Sequence, residues 1–212
     1  MENTIFLEDL KRDNKKIIDS ILWSQLKAGN QAAFSQLFEK YYSLMVNYGK
    51  TLMTTDTDTV RDCVQDVFVD IWTYRTKLDE AISVKAYLLA SVRKRIARVY
   101  GRNYVFNQAR DINLVDFLFD FSIEDQLIAD EATALKVEQL NRFINFLSSR
   151  QKEALYLRYH QKLSVEQISE VLNMNYQSTK NLLHRAILQL RKNFLNSVLV
   201  LMIDNLLCYP FF

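Results

Sequence analysis

The chain has 212 residues, 49% of them hydrophobic and 25% charged, and a formal net charge of +2, which is ordinary for a globular protein and names no partner by itself. Its 3 Gly and 1 Pro are too few to turn the many strands of a sheet protein of this length, so an all-α fold is expected. The same scarcity excludes glycine-rich phosphate loops and dinucleotide fingerprints, since the only glycines are Gly29, Gly49 and Gly101.

Residues 1–20 read as an N-terminal extension. The opening MENTIFLEDLKRDNKK has acids before its basic cluster and no long apolar run, which fits neither a secretory signal nor a membrane anchor, and the expected location is the cytoplasm. From Leu22 to about Tyr100 apolar residues recur at helical spacing, as in Phe34, Leu37, Phe38, Tyr41, Leu44 and Met45. Residues 21–102 are therefore expected to form one helical bundle. Within it, VRDCVQDVFVDIWTY at 60–74 places Val60, Cys63, Val64, Val67, Phe68, Ile71 and Tyr74 on one apolar stripe, with Cys63 a small buried residue. The opposite face stacks Asp62, Asp66 and Asp70 at i, i+4 and i+8, flanked by Gln65. Like charges at this spacing cost about a few tenths of a kcal/mol per pair. Such a row either solubilises a helix or meets a basic partner surface, where complementary charge sets register and on-rate.

After Ser83 comes VKAYLLASVRKRIARVYGR, in which Val84, Leu88, Val92, Ile96 and Val99 can pack inward while Lys94, Arg95, Arg98 and Arg102 stay outside. Trp72, Tyr74, Tyr87, Tyr100 and Tyr104 are close in sequence. Cations for phosphates and aromatic faces for unstacked bases are the two elements of single-strand binding, although aromatics at helical spacing also build cores. Charge is segregated: residues 91–110 carry +6, residues 111–131 carry −7 and residues 150–192 carry +5. Residues 103–133 read as an acidic linker joining two nucleic-acid-facing surfaces, with solvated helix faces as the other reading.

A second helical domain is expected over 134–195. Helices restart at Ser148 and Ser164, each with a Gln three residues on, Gln151 and Gln167, in the capping-box pattern. Ser164 opens VEQISEVLN, with Val165, Ile168, Val171 and Leu172 on one face; the chain breaks at NMN and restarts as YQSTKNLLHRAILQLRKNF. A short helix, a break and a longer basic helix form a helix-turn-helix pattern. Leu183, Ala186, Ile187, Leu190 and Phe194 face the core, and Gln177, Ser178, Lys180, Asn181, His184 and Arg185 lie opposite. Amides and guanidinium groups pair with base edges, and Lys and Ser take phosphates; a helical hairpin with a basic outer face is the plainer reading. Asn173 and Asn175 can both occupy turn conformations, because Asn tolerates a left-handed backbone. Residues 196–212 form an apolar tail, interrupted by Asp204 and Asn205 and too short for a membrane span. It packs on the second domain or docks a partner.

WSQLKAGNQAAFSQLFEKYY, DCVQDVFVDIW, SVKAYLLASVRKR and the run from SSRQKEALYLRYHQ to LLHRAILQLRK together resemble a sigma factor of bacterial RNA polymerase, of the extracytoplasmic-function (ECF) subfamily of the sigma-70 family, over residues 21–102 and 134–193. The resemblance implies a dissociable initiation factor with no catalysis of its own and no cofactor. It implies that Asp62, Gln65, Asp66, Val69 and Asp70 dock on the clamp helices of the polymerase β′ subunit, with further contacts to β. Lys94, Arg95, Arg98, Arg102 and Tyr87 would bind the minus-ten element. Gln177, Ser178, Lys180, Asn181, His184 and Arg185 would read the minus-thirty-five element, and the acidic linker would thread polymerase channels. An anti-sigma partner is implied by class. Where the family often has R-N-x-x-x-D in its minus-ten helix, this chain has Lys94 and Arg98, which adds phosphate attraction.

The alternative is a conventional helix-turn-helix regulator that binds its operator without polymerase and whose N-terminal bundle senses or dimerises. An enzyme would need groups the chain lacks: Cys63, Cys208, His160 and His184 have no zinc-ligand spacing, and both thiols are expected reduced.

Overall fold

The computed structural model describes residues 17–52, 57–79, 83–105, 117 and 140–194, with backbone alone at 100–105 and 193–194. No strand occurs among the described residues. The chain divides into two compact units, Met1–Asp116 with Glu166–Met174, and Phe117–Val165 with Asn175–Phe212.

The first unit is built on α1 (17–27), α2 (Gln31–Leu52), α3 (Thr57–Thr73), a 3-10 turn (Arg75–Lys77) and α4 (Val84–Val105). Helix α1 begins inside the stretch read from the sequence as an extension. Asp19 is buried there, and its carboxylate accepts from the Tyr41 hydroxyl and the Lys40 ammonium, each at 2.5 Å. Burial first, and this carboxylate second, push the Tyr41 hydroxyl far above its ordinary pKa. Helix α1 ends on Gly29 at φ 88°, with Gly29 N–H donating to Leu26 O at 2.8 Å and Asn30 N–H to Gln25 O at 3.0 Å. This crossed pair closes a helix when the residue after it is left-handed. Asn30 then caps α2, its Oδ1 accepting from Ala33 N–H at 3.1 Å.

Helix α2 packs on α3 and α4, which also pack on each other. The stripes expected from periodicity supply the core: Leu37, Tyr41, Met45, Val60, Val64, Val67, Phe68, Ile71, Leu88, Val92 and Ile96 are all buried, as is Cys63. Burial raises the Cys63 thiol pKa, as suits an inert core residue. At the crossing stands Gly49, where a Cβ would lie 2.5 Å from Val60 Cγ1 and 3.1 Å from Ile96 Cδ1. Tyr74 departs from its expected place on the α3 stripe: α3 stops at Thr73, the chain enters the 3-10 turn, and Tyr74 is 53% exposed.

In the second unit, α5 (140–145) is followed by α6 (Ser149–Leu155), which continues as a π turn (Tyr156–His160). The capping box at Ser148 is formed: Gln151 N–H donates to Ser148 Oγ at 3.3 Å and Ser148 N–H to Gln151 Oε1 at 2.9 Å. The π turn was not legible in the sequence. It is closed by Gln161 N–H on Tyr156 O at 3.0 Å, five residues back, and the chain leaves it through Lys162 at φ 54°. The linker expected at 103–133 begins later than the charge pattern implied, since α4 continues through Val105; of the residues beyond it, Phe117 is the one described, and it is buried, its ring 5.4 Å from that of Tyr156. Burial pushes the Tyr156 hydroxyl up to about 12 despite the hydrogen bond it accepts from Gln161 Nε2.

Helix α7 (Val165–Leu172) is joined to α8 (Tyr176–Phe194) by a short turn. Asn173 takes the left-handed conformation at φ 51°, with Asn173 N–H on Glu170 O at 3.2 Å and Met174 N–H on Ser169 O at 2.9 Å. Asn175, the other asparagine able to take such a turn, instead caps α8, its Oδ1 accepting from Ser178 N–H at 2.7 Å. Helix α8 packs on α6. It buries Leu183, Ala186 and Ile187, while Leu190 is half-buried and the Phe194 side chain lies outside the described residues. Thr179 is fully buried as well, a core position its polarity hides, and its hydroxyl donates to Asn175 O at 3.0 Å.

Replacing Gly49 by Ala sets two effects against each other. Alanine favours a helix interior by about 0.8–1 kcal/mol, but overpacking beside stiff Val60 costs about 1–3 kcal/mol. A net destabilisation of about 1 kcal/mol is expected. Urea denaturation followed by tryptophan fluorescence checks it, since Trp23 and Trp72 both lie in the first unit.

Candidate functional site

The solvent face of α3 is continuous. Asp62, Gln65, Asp66, Val69 and Asp70 are all exposed, because the buried positions Cys63, Val64, Val67, Phe68 and Ile71 turn the other way at helical spacing. Val69, 62% exposed, puts an apolar spot among the carboxylates. Charge-depleted apolar centres with polar rims are what protein interfaces use. Asp62 makes no ion pair among the described residues, whereas Asp66 and Asp70 share one cation from α4.

That cation is Arg95. Its Nη2 and Nε lie 2.5 and 3.2 Å from Asp66 Oδ2, and its Nη1 lies 3.4 Å from Asp70 Oδ2. The hydrogen bonds to Asp66 raise the guanidinium pKa further above its ordinary value. The side chains are 29% exposed for Arg95 and 53% for each carboxylate, so the bridge is a surface one, worth about 0.2–1 kcal/mol. It also relieves the like-charge repulsion along α3.

The other sequence-predicted residues of α4 divide. Lys94 and Arg98 are exposed and have no hydrogen-bond or ion-pair partner among the described residues. Arg102 is helical, with its side chain outside the described residues. Tyr87 is half-buried, its ring edge-on to Trp23 at 5.2 Å, and burial raises its hydroxyl pKa. A shallow cleft of about 140 Å³ between α3 and α4 is lined on its polar side by Asp70, Tyr87, Ser91, Lys94, Arg95 and Arg98.

Of the aromatics close to this face, Trp72 is half-buried against Phe34 at 5.2 Å, with Arg75 stacked 4.6 Å from its ring and donating to Trp72 O at 2.7 Å. Tyr74 is the exposed one among those whose side chains are described, with Lys77 Nζ 5.9 Å from its ring. Periodicity assigned it to the core; the signal that places it outside is the end of the helix one residue earlier. The segment after it is tied back to α1 by Trp23 Nε1 donating to Asp79 O at 2.9 Å.

On α8, Gln177, Lys180, Asn181, His184 and Arg185 are exposed and Ser178 is half-buried. Gln177 Nε2 donates to Asn181 Oδ1 at 3.1 Å, which holds two amides one helical turn apart side by side. Lys180, His184 and Arg185 have no partner among the described residues. The side chains thus leave two amides, two cations and an imidazole along one face. No group of three or more His, Cys, Asp or Glu among the described residues could hold a metal, and no described helix is long and apolar enough to cross a membrane. The apolar tail at 196–212 lies outside the described residues.

Residues 138–190 match the family model for sigma-70, region 4. The curated RNA polymerase sigma factor YlaC of Bacillus subtilis (strain 168) is 27% identical over 168 residues, which span 78% of this chain and 94% of that protein. The solved structure of CnrH in complex with the cytosolic domain of CnrY matches with a TM-score of 0.52 at 21% identity, over 85% of this chain and 99% of that one. The sigma factor RpoE in complex with the anti-sigma factor NepR from Bartonella quintana matches with a TM-score of 0.51 at 20% identity, over 77% and 98%. The two structures share the helical fold. The region 4 match spans the segment that contains α7 and α8. The chain thus carries a segment that matches sigma-70, region 4, and over most of its length it is similar to an RNA polymerase sigma factor.

Proposed function

We propose that this chain binds core RNA polymerase through the exposed face of α3 and directs it to promoters by reading two DNA elements. The observation that carries the reading is the stripe of Asp62, Gln65, Asp66, Val69 and Asp70, all exposed on one helix beside a cationic one. Carboxylates around an apolar spot suit a basic helical partner such as the β′ clamp helices, with charge setting register and Val69 supplying desolvated contact.

In this reading Lys94, Arg98, Arg102 and Arg95 attract the phosphates of the minus-ten element, Tyr87 lines the cleft beside them, and the exposed Tyr74 offers a face on which an unpaired base stacks. Gln177, Asn181 and Arg185 carry base-edge chemistry for the minus-thirty-five element, and Ser178, Lys180 and His184 take phosphates. Residues 21–102 and 134–195 act as the two functional domains, with the acidic linker 103–133 following nucleic-acid channels of the polymerase. The factor works in the cytoplasm and contributes no catalytic group, nucleotidyl transfer belonging to the polymerase. Regulation by an anti-sigma factor fits the company its structural relatives keep.

Run-off transcription with purified core polymerase from the source organism, on the chain's own upstream DNA and a genomic fragment pool, tests the proposal. New specific transcripts that require the protein are expected; tight duplex binding with neither transcripts nor core binding would favour a conventional regulator. Asp62→Lys with Asp66→Lys should abolish capture of core polymerase while circular dichroism stays unchanged, because both side chains are exposed. Undiminished capture would remove α3 from the interface. Arg185→Ala should weaken promoter duplex binding by about 1–3 kcal/mol if it pairs with a base, and an unaltered sequence preference would take it off the reading face.

A further inference from the structure

Helix α1 is apolar on two sides. Its inner side carries the buried Leu22, Trp23 and Leu26, yet Ile17, Ile18 and Ile21 on the opposite side are 55%, 53% and 50% exposed. At about 100° per residue these three share one sector of the helix, so they form a continuous apolar face. A helix that is apolar all round is a buried helix. Isoleucine also gives up side-chain freedom in a helix, a loss that only packing offsets. Sixteen residues precede Ile17 and run directly into this helix; they lie outside the described residues.

We propose that residues 3–12 fold back as an antiparallel helix over α1 and seat Phe6, Leu7 and Leu10 against Ile17, Ile18 and Ile21. The two triplets match: apolar residues at 6, 7 and 10 repeat the i, i+1, i+4 spacing of 17, 18 and 21. Between them KRDNKK at 11–16 has no apolar residue, and its Asp13 and Asn14 are types that cap a following helix. A helix running straight through would instead set Lys11 over Lys15 and Arg12 over Lys16, like charges at i, i+4. The connection that remains, residues 13–16, has the length that joins antiparallel helices. Antiparallel order then sets Leu10 against Ile17 and Ile18, and Phe6 with Leu7 against Ile21, one turn further along each helix. Covalent attachment gives this segment a high effective concentration at the face, ahead of a second copy or any separate partner. Covered on both sides, α1 is held as a brace: its Trp23 donates to Asp79 O at 2.9 Å and meets the Tyr87 ring at 5.2 Å, which fixes the chain on either side of the start of α4. The proposal is independent of the polymerase and DNA readings.

Disulfide trapping in the full chain tests the register. Asn3→Cys and Ser24→Cys lie just beyond the apolar contacts, and antiparallel pairing brings them together while all six apolar side chains stay in place. Cys208→Ser removes the tail thiol, and Cys63 is buried. Gentle oxidation at low protein concentration should give a bond within one chain, and adding Leu10→Asp with Ile17→Asp should slow its formation at least about tenfold. An unchanged rate would mean chance encounter of an undocked segment and would overturn the proposal. So would a bond between two chains, which assigns the face to a second copy, or no bond at all. Hydrogen exchange on the unaltered chain gives a second reading that no substitution disturbs. The amides of residues 7–11 should exchange at least about tenfold more slowly than in a peptide of residues 1–16, and equal rates would overturn the proposal as well.

Discussion

The first unit depends on how closely α2 can approach its two neighbours. Gly49 sits where α2 meets Val60 of α3 and Ile96 of α4, and any side chain there would enter the space both occupy. That approach fixes more than packing. Ile96 is the residue after Arg95, and Val60 begins the apolar stripe whose opposite face carries Asp66 and Asp70. Seating Val60 and Ile96 against one glycine therefore sets the rotation and spacing of α3 and α4, and with them the distance over which the guanidinium reaches the carboxylates. A core contact with no polar atom thus determines a surface ion-pair network.

Much of this was legible because local chemistry and periodicity agree. The stripes of α3 and α8 are clearly amphipathic, and the residues expected inside are largely those found buried. Turn chemistry was equally readable where side chain and backbone need coincide: Ser148 forms its capping box, and Asn173 takes a left-handed position. The two helix stops, Gly29–Asn30 and Asn173–Asn175, use the same device, a left-handed residue closing one helix and an asparagine capping the next. Only the division of labour between Asn173 and Asn175 escaped, since both types of asparagine conformation fit the sequence.

What was not legible depended on contacts between elements. Asp19 looks like one more charge in a polar opening segment; only the return of α2 shows that it is buried with Tyr41 and Lys40. Tyr74 continues the spacing of a helix that has already ended. The π turn at 156–160 has no pattern of its own, because its extra residue is accommodated by the Tyr156–Gln161 hydrogen bond and the left-handed Lys162 beyond it. Arg95 reads as one cation among several until the rotation of α4 about its axis is known.

That rotation divides the charge of α4 into two kinds. Lys94 and Arg98 project their charge without a partner among the described residues, and in the proposed reading they supply a constant attraction to phosphate. It acts over a Debye length of about 10 Å at 0.1 M salt and carries no sequence information. Arg95 contributes little to this long-range field, because Asp66 and Asp70 neutralise it at contact distance. In the proposed reading, attraction to phosphate at a distance therefore rests on Lys94 and Arg98, while the Arg95 charge is taken up at contact distance by Asp66 and Asp70.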